Sequence, residues 1–433
     1  MPSILEDKIR KRKAALAVVG LGYVGLPLAL NFAKKGFKVY GLDKDADRIH
    51  RLQKNESYIL DVASRDIQRA KRRALFYPST DFKFLQKSDV VIICVPTPLK
   101  RKYTPDISYI LGAVKTIRKY IHPNMLIVLE STTYPGTTEE LIKPELEKSG
   151  LKAEKDFFLS FSPERIDPGN KTYPLAKIPK VVGGLTVKSG KLTALLYQHI
   201  IHRVHLVSST KSAEMTKLLE NSFRIINIGW INEVAVMCHK LGIDVWEVIE
   251  AAKTKPFGFM PFYPGLGVGG HCIPDDPLYL YWKARLHGFS SKFIKLSADF
   301  NSKMPAYAVQ RIEQLLKRFR KNLKEAKILI IGVTYKKDVK DLRRSPVLTL
   351  MELLKTRGCE VDYFDPVIPY LTIGTINQKS IHLSKKSLSR YDCVVMATNH
   401  TRVDYPLILR NAKLIFDTRN VYGAIHRANL VRL

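Results

Sequence analysis

The 433-residue chain predicts an α/β fold: two Rossmann-like, doubly wound parallel-sheet domains joined by a central helical domain with one long helix. Three observations predict it. Strand-like and helix-like stretches alternate through the first third. The alternation restarts after Lys327. Between them, the proline-free stretch Lys211–Leu241 carries apolar residues at helical spacing (Met215, Leu218, Leu219, Phe223, Ile226). Length agrees, because a chain of this size exceeds one ordinary core.

In order, Ala15–Val19 reads as a strand, Gly25–Lys35 as a helix and Lys38–Leu42 as the next strand. Ser88–Val95, Leu126–Glu130 and Phe157–Phe161 read as further strands, all expected to be parallel. The middle holds the long helix and more helices up to about Arg320, interrupted by the Gly- and Pro-rich loop Pro256–Gly270. Lys327–Val333, Glu360–Phe364, Cys393–Ala397 and Lys413–Phe416 read as strands, and Val347–Lys355 as a helix. The expected domains are residues 1–207, 208–322 and 323–433.

Composition narrows the functional class. A hydrophobic fraction of 45% is that of a globular protein and argues against disorder. Five scattered cysteines (Cys94, Cys238, Cys272, Cys359, Cys393) form no CxxC or Cys/His cluster. Neither a disulfide framework nor a metal site is indicated, and a cytoplasmic location is expected. The apolar run Ala14–Leu30 follows the basic stretch Lys8–Lys13, but its glycines and the polar residues Asn31, Lys34 and Lys35 favour a buried strand and helix start over a membrane span. Net charge is +31, with clusters at Lys8–Lys13, Arg69–Arg73, Lys100–Lys102 and Lys317–Lys321. Such a field attracts nucleotides, sugar phosphates, nucleic acid or anionic lipid, or is simply a solvated basic surface. Stacking aromatics and nucleic-acid motifs do not accompany it, so nucleic acid is not the expected partner.

Gly20-Leu-Gly22-Tyr23-Val24-Gly25 follows the first strand and opens a helix, and Asp43 ends the second strand. The glycines allow a tight turn and close approach of a pyrophosphate, whose charge the helix N-terminus stabilises. An acid at Asp43 binds the adenosine ribose hydroxyls and repels a 2′-phosphate, which predicts NAD over NADP, with Arg48 close enough to soften the preference.

Cys272 lies in the stretch Gly265-Leu-Gly-Val-Gly269-Gly-His-Cys-Ile-Pro-Asp-Asp276-Pro, which sets one thiol in a glycine-rich turn four residues before a carboxylate. Alone, such a residue reads first as a small buried cysteine in a tight turn. Beside a dinucleotide site, it suggests oxidation through a covalent thiohemiacetal. The second α/β domain opens Ile331-Gly-Val-Thr-Tyr-Lys336 without a fingerprint, and the cations Lys336, Lys337, Arg343 and Arg344 read either as diphosphate ligands or as surface charge.

From about Ala15 to Tyr422, these pieces resemble the UDP-sugar 6-dehydrogenase family, with several motifs in the family's order. Cys94-Val-Pro96-Thr97-Pro98 resembles its cofactor-side loop, and Glu130-Ser-Thr132-Thr-Tyr-Pro-Gly136-Thr its Ser-Thr turn. Ser162-Pro-Glu164-Arg165 resembles its acidic catalytic loop, and Lys217-Leu-Leu-Glu-Asn221 its helix-borne Lys/Asn pair. Gly269-Gly-His-Cys272-Ile-Pro-Asp-Asp276 resembles its nucleophile loop. Tyr335-Lys336, Asp341-Leu-Arg343 and Asp417-Thr-Arg419 resemble its nucleotide-binding elements.

The resemblance implies two successive NAD-dependent oxidations of the sugar C6. Cys272 would hold the aldehyde and then a thioester; Lys217 and Asn221 would stabilise oxyanions, and Asp276 would assist proton handling beside Lys217 or a water. Glu164 would be general base for the hydrolytic water, which Thr132 would position, Thr132 also serving the cofactor side. Glu164, Arg165, Lys217, Asn221, Gly269, Lys336, Arg343 and Arg419 would contact substrate, and a homodimer through the central helices is implied. Pro168 stands where UDP-glucose enzymes carry a second glutamate, and His271 where they carry serine. This pattern is similar to members acting on N-acetylated sugars, and Pro261–Gly265 with Asp276–Leu280 to the UDP-N-acetylglucosamine branch. UDP-N-acetylmannosamine and UDP-glucose are the alternatives within the class; a non-catalytic nucleotide-sugar or nucleic-acid binder is the alternative outside it.

Overall fold

The computed structural model describes residues 4–59, 62–100, 104–167, 172–374 and 376–433. Arg101 and Lys102 of one basic cluster, and Pro168 with Gly169, lie outside the described residues. The chain divides into two compact units: Met1–Glu220 with Tyr279–Phe289, and Asn221–Leu278 with Ser290–Leu433.

The first unit is built on eight strands: β1 (Ala15–Val19), β2 (Lys38–Leu42), β3 (Phe76–Ser79), β4 (Val90–Ile93), β5 (Leu126–Leu129), β6 (Phe158–Phe161), β7 (Lys180–Gly184) and β8 (Val204–Val207). Their order is 3-2-1-4-5-6-7-8. The first six are parallel, the order of a dinucleotide-binding sheet, with its reversal between β1 and β4. Strands β4, β5 and β6 are buried along their whole length, as continuous apolar runs are when helices cover both faces. Alternate residues serve opposite cores: Leu16 and Val18 face one, Ala17 and Val19 the other. Each such valine or leucine contributes roughly 1.5–3 kcal/mol by leaving water. The apolar run that mimicked a membrane span is therefore β1, a turn and the buried helix Gly25–Lys34. Among the described residues, no helix is long and apolar enough to cross a membrane.

One departure concerns strand direction. β7 runs antiparallel to β6 and carries β8 with it, where an all-parallel sheet was expected. A parallel return needs a crossover, usually a helix. The described part of the β6–β7 connection holds only the 3₁₀ turn Leu175–Lys177.

The second unit contains β9 (Lys327–Ile331), β10 (Glu360–Phe364), β13 (Cys393–Met396), β14 (Ile415–Asp417) and β15 (Leu430–Arg432), all parallel in the order 10-9-13-14-15. Its strand order reverses between β9 and β13, another place where open α/β sheets bind ligands. A hairpin of β11 (Tyr370–Ile373) and β12 (Ile376–Lys379), absent from the sequence reading, adjoins it in the chain.

Between the sheets in sequence run the helices Thr210–Leu241, Val245–Lys253, Cys272–Leu286 and Lys292–Arg318. The first is 32 residues long and stops at Gly242, whose φ of 72° is the left-handed conformation that ends helices.

Candidate active site

In the first unit, the glycine turn after β1 shows which positions must lack a side chain. Gly20 has φ of 93°, and a Cβ there would lie 2.7 Å from the Cys94 carbonyl oxygen. A Cβ on Gly25 would lie 1.8 Å from the Gly20 carbonyl oxygen, so the helix could not pack on the turn. A Cβ on Gly22 would meet nothing within 4 Å, which leaves this side of the backbone open to a pyrophosphate at the start of the helix. Tyr23 is exposed, Val24 caps the helix, exposed Pro96 follows β4, and Thr97 is buried with its carbonyl accepting from the Tyr279 hydroxyl. Asp43 accepts from the backbone N–H of Leu21 at 2.8 Å and of Asp45 at 3.0 Å, which holds its carboxylate at the end of β2. These residues fit a dinucleotide: an open pyrophosphate approach and a fixed ribose acid.

Arg48 reaches Asp43 at 3.4 Å and Asp45 at 3.2 Å. Asp43→Asn is therefore expected to reduce the NAD-over-NADP ratio of kcat/KM by about tenfold or more, because it removes a negative charge and leaves Arg48 for a 2′-phosphate. Steady-state rates with both cofactors check this, and unchanged discrimination would remove Asp43 from that role.

Thr132 follows β5, and its hydroxyl accepts from the Lys217 ammonium at 2.5 Å. The neighbouring turn is braced by buried Glu214, one helical turn before Lys217, which accepts from the Gly136 and Thr138 N–H groups at 2.6 and 2.9 Å. Glu164, just after β6, is buried and accepts from the Arg165 and Ile166 N–H groups at 2.6 and 2.7 Å. Arg165 itself pairs with Glu220 at 2.6 Å and donates to the Pro179 carbonyl at 2.6 Å.

Behind Glu164 lies a cluster that the sequence reading did not identify. Lys180, the first residue of β7, pairs with Glu164 at 3.1 Å and makes a shorter ion pair with Glu130 at the end of β5. The Tyr197 hydroxyl donates to Glu130 at 2.7 Å. Burial pushes the Glu130 carboxyl up against the opposing pull of Lys180. Burial also disfavours ionised Glu164, but Lys180 and the hydrogen bonds win, holding it below the usual carboxylate range. The only sequence signal was Glu130 at the head of the Ser-Thr turn. Lys180 reads as an ordinary strand-edge lysine.

In the second unit, Cys272 is exposed, whereas the other four cysteines are buried. It is the first residue of the helix Cys272–Leu286 rather than a member of the glycine turn, which ends just before it. The thiol thus stands at the positive end of a helix dipole. The glycines give the loop its path: a Cβ on Gly269 would lie 2.5 Å from the Tyr335 side chain, and one on Gly265 would lie 3.0 Å from the Arg419 guanidinium. The Gly270 N–H donates to the Arg343 carbonyl at 2.8 Å. The loop before Cys272 is therefore packed on the segment after β9 and on Arg419 after β14.

Asn221 donates to Asp276 at 2.7 Å, and both are buried. The neighbouring Asp275 pairs with Arg344 and lies 3.5 Å from His271. Burial pushes its carboxyl up to about 7, although Arg344 pulls the other way. Of the four cations after β9, Arg344 is thus engaged by Asp275, and Arg343 is held by Asp341 at 2.6 Å. Lys336 is half-buried and Lys337 exposed. Arg419 donates to the Ala397 carbonyl at 2.8 Å.

Comparison with known proteins agrees along the whole chain. Models of the UDP-glucose/GDP-mannose dehydrogenase family match in order: the NAD binding domain over residues 14–201, the central domain over 211–303 and the UDP binding domain over 329–424. The chain is 38% identical over 389 residues to UDP-N-acetyl-D-glucosamine 6-dehydrogenase of Pseudomonas aeruginosa, covering 89% of this chain and 90% of that protein. It is 34% identical over 417 residues to UDP-N-acetyl-D-mannosamine dehydrogenase of Pyrococcus horikoshii, covering 94% and 95%. A solved structure of the Pyrococcus horikoshii UDP-D-ManNAc dehydrogenase superposes with a TM-score of 0.87 at 32% identity, covering 96% of this chain and 98% of that one. With the three parts matched in sequence and an open glycine turn beside Asp43, the chain belongs to the UDP-glucose/GDP-mannose dehydrogenase family, as an NAD-dependent oxidoreductase with a UDP-binding domain.

Proposed function

We propose that this protein oxidises the C6 hydroxymethyl of UDP-N-acetylglucosamine to the uronic acid, removing four electrons with two NAD and one water. When bound, NAD accepts a hydride in each oxidation. Cys272 adds to the intermediate C6 aldehyde, giving a thiohemiacetal whose oxidation leaves a thioester. Water then cleaves the thioester to carboxylate and thiol. The observation that carries this reading is the exposed thiol at a helix start, directly after a glycine loop packed against Tyr335 and Arg419. A thiolate is strongly nucleophilic, and its thioester hydrolyses readily.

Glu164 takes the proton of the hydrolytic water, which Thr132 orients. Lys217 and Asn221, four residues apart on one helix, stabilise the oxyanions at C6, with Asp276 holding the Asn221 amide. Lys336, Arg343 and Arg419 hold the nucleotide, while Arg165 and Gly269 contact the sugar side. Arg343→Ala is expected to raise the KM for the UDP-sugar about tenfold while NAD binding stays unchanged; equal loss of both would argue for misfolding instead. The three functional parts are proposed as residues 1–207, 208–322 and 323–433.

The N-acetylglucosamine choice is supported by the 38% identity to the Pseudomonas aeruginosa enzyme of that name. UDP-N-acetylmannosamine is a second reading, favoured by the 0.87 TM-score to the Pyrococcus horikoshii protein. NADH formation with UDP-N-acetylglucosamine, UDP-N-acetylmannosamine and UDP-glucose, counted per sugar consumed, decides between them. Two NADH with the first sugar alone supports the proposal. Activity only with another sugar overturns the choice of epimer. A folded, NAD-binding protein inactive with all three overturns the enzymatic reading.

We also propose a homodimer. Phe223, Trp230 and Met237 are exposed at seven-residue spacing on the long helix, a seam suited to a second copy of the chain. A monomer in sedimentation experiments would remove that proposal. The location is proposed to be a reducing compartment, the cytoplasm, which suits a reactive thiol.

A further inference from the structure

The cluster behind Glu164 has a charge balance that needs explaining. Glu130, Glu164, Lys180 and Tyr197 are all buried, with the Glu130 and Lys180 side chains only 0% and 3% exposed. Two carboxylates facing one ammonium would leave an uncompensated buried negative charge, which burial strongly disfavours. One carboxyl therefore holds a proton at neutral pH. The donors decide which. Glu164 receives two backbone N–H groups as well as Lys180, whereas Glu130 receives one neutral phenol as well as Lys180. More donors favour the charged form, so Glu164 is the ionised member. The shifts of the two carboxyls, up for Glu130 and down for Glu164, run the same way.

We propose that Glu130 and Lys180 are positioning residues for the reaction: they hold Glu164 from behind, and Glu130 carries the proton so that Glu164 stays charged. This inference rests on the proposed role of Glu164 as the base. The groups come from four elements. Glu130 directly follows β5, Glu164 follows β6, Lys180 begins β7, and Tyr197 ends the helix Val187–Tyr197. The remaining titratable neighbour, the Cys94 thiol after β4, is pushed well up by burial and stays neutral. Because both carboxyls face one ammonium, they titrate as a pair. Without Lys180, burial dominates Glu164, and its proton affinity rises.

The test is the pH profile of kcat in full-length Lys180→Met, Lys180→Arg, Glu130→Gln and Glu164→Gln, over about pH 5 to 9. In Lys180→Met, kcat at neutral pH is expected to fall about a hundredfold. Its acidic limb, which lies below this range in the wild type because Lys180 keeps Glu164 ionised, should move up into it, with the sugar KM within about threefold of wild type. Lys180→Arg restores the cation and should return the rate to within about tenfold. Glu130→Gln mimics the protonated acid and leaves Glu164 as the single titrating carboxyl, so the profile should lose the second inflection of the pair. A folded Lys180→Met with an unshifted profile, or an arginine variant no better than the methionine one, overturns the inference. Should Lys180→Met not fold, Glu130→Gln and Lys180→Arg decide it: a wild-type inflection in the glutamine variant or an inactive, folded arginine variant overturns it. Glu164→Gln separates the two readings. Wild-type turnover there removes the base assignment itself, whereas an inactive Glu164→Gln beside wild-type profiles in the other variants removes only this inference.

Discussion

Cys272→Ser is expected to lower carboxylate production by about 10⁴-fold or more while NAD binding is retained. The serine hydroxyl is neutral across the working pH range and a far poorer nucleophile than a thiolate. Any ester it formed would also hydrolyse more slowly than a thioester. The substitution is nearly isosteric, and serine is well tolerated at a helix start, so the helix Cys272–Leu286 should keep its N-terminus. The loop that positions it is set by Gly269 and Gly270 against Tyr335, contacts that do not involve the sulfur. Loss of rate can therefore be assigned to chemistry if the melting temperature and the NAD dissociation constant match wild type. Normal steady-state carboxylate formation by the variant would sink the covalent mechanism.

The second large effect is expected at Lys217. Lys217→Ala should reduce kcat by about 10²–10³-fold, the range for removing one oxyanion-stabilising donor. The ammonium already donates to Thr132 at 2.5 Å, so the variant loses both the charge proposed to act at C6 and the partner that orients the Thr132 hydroxyl. The two contributions can be separated. Thr132→Val removes the hydroxyl alone and should cost about tenfold. If Lys217→Ala and Thr132→Val cost the same, Lys217 acts only through the threonine. If Lys217→Ala leaves kcat within about threefold, the residue has no part in stabilising charge. Asn221, one helical turn further on, is held by Asp276 rather than by Lys217, so its amide is oriented independently.

The two carboxylates that follow Cys272 illustrate where sequence reasoning stops. Spacing singled out Asp276, four residues after Cys272, and the family resemblance implied a place beside Lys217 or a water. In the structure Asp276 holds Asn221, and the adjacent Asp275 takes the cation, Arg344. Neighbouring residues at a helix start point in different directions, and the partner of each depends on segments some 55 or more residues away. The same holds for the cations after β9. Their clustering was legible, but Asp341 and Asp275 already hold two of them.

What the sequence by itself determined rests on local geometry. The glycine turn from Gly20 to Gly25, the acid at the end of β2, the proline-free helix and the glycine loop before Cys272 all follow from residue types within a few positions of one another. Strands β1, β2 and β10 fall on the expected residues because continuous or alternating apolar runs bounded by turn residues leave little choice. Only the tertiary structure decided the antiparallel entry of β7, the hairpin of β11 and β12, and the charge cluster behind Glu164. Glu130 and Lys180 are separated by 50 residues in the chain. They meet because β5, β6 and β7 are neighbours in the sheet, an order set by how the connections cross it. A buried charge is tolerated only where a partner reaches it, and local pattern carries no information about a partner supplied by the next strand.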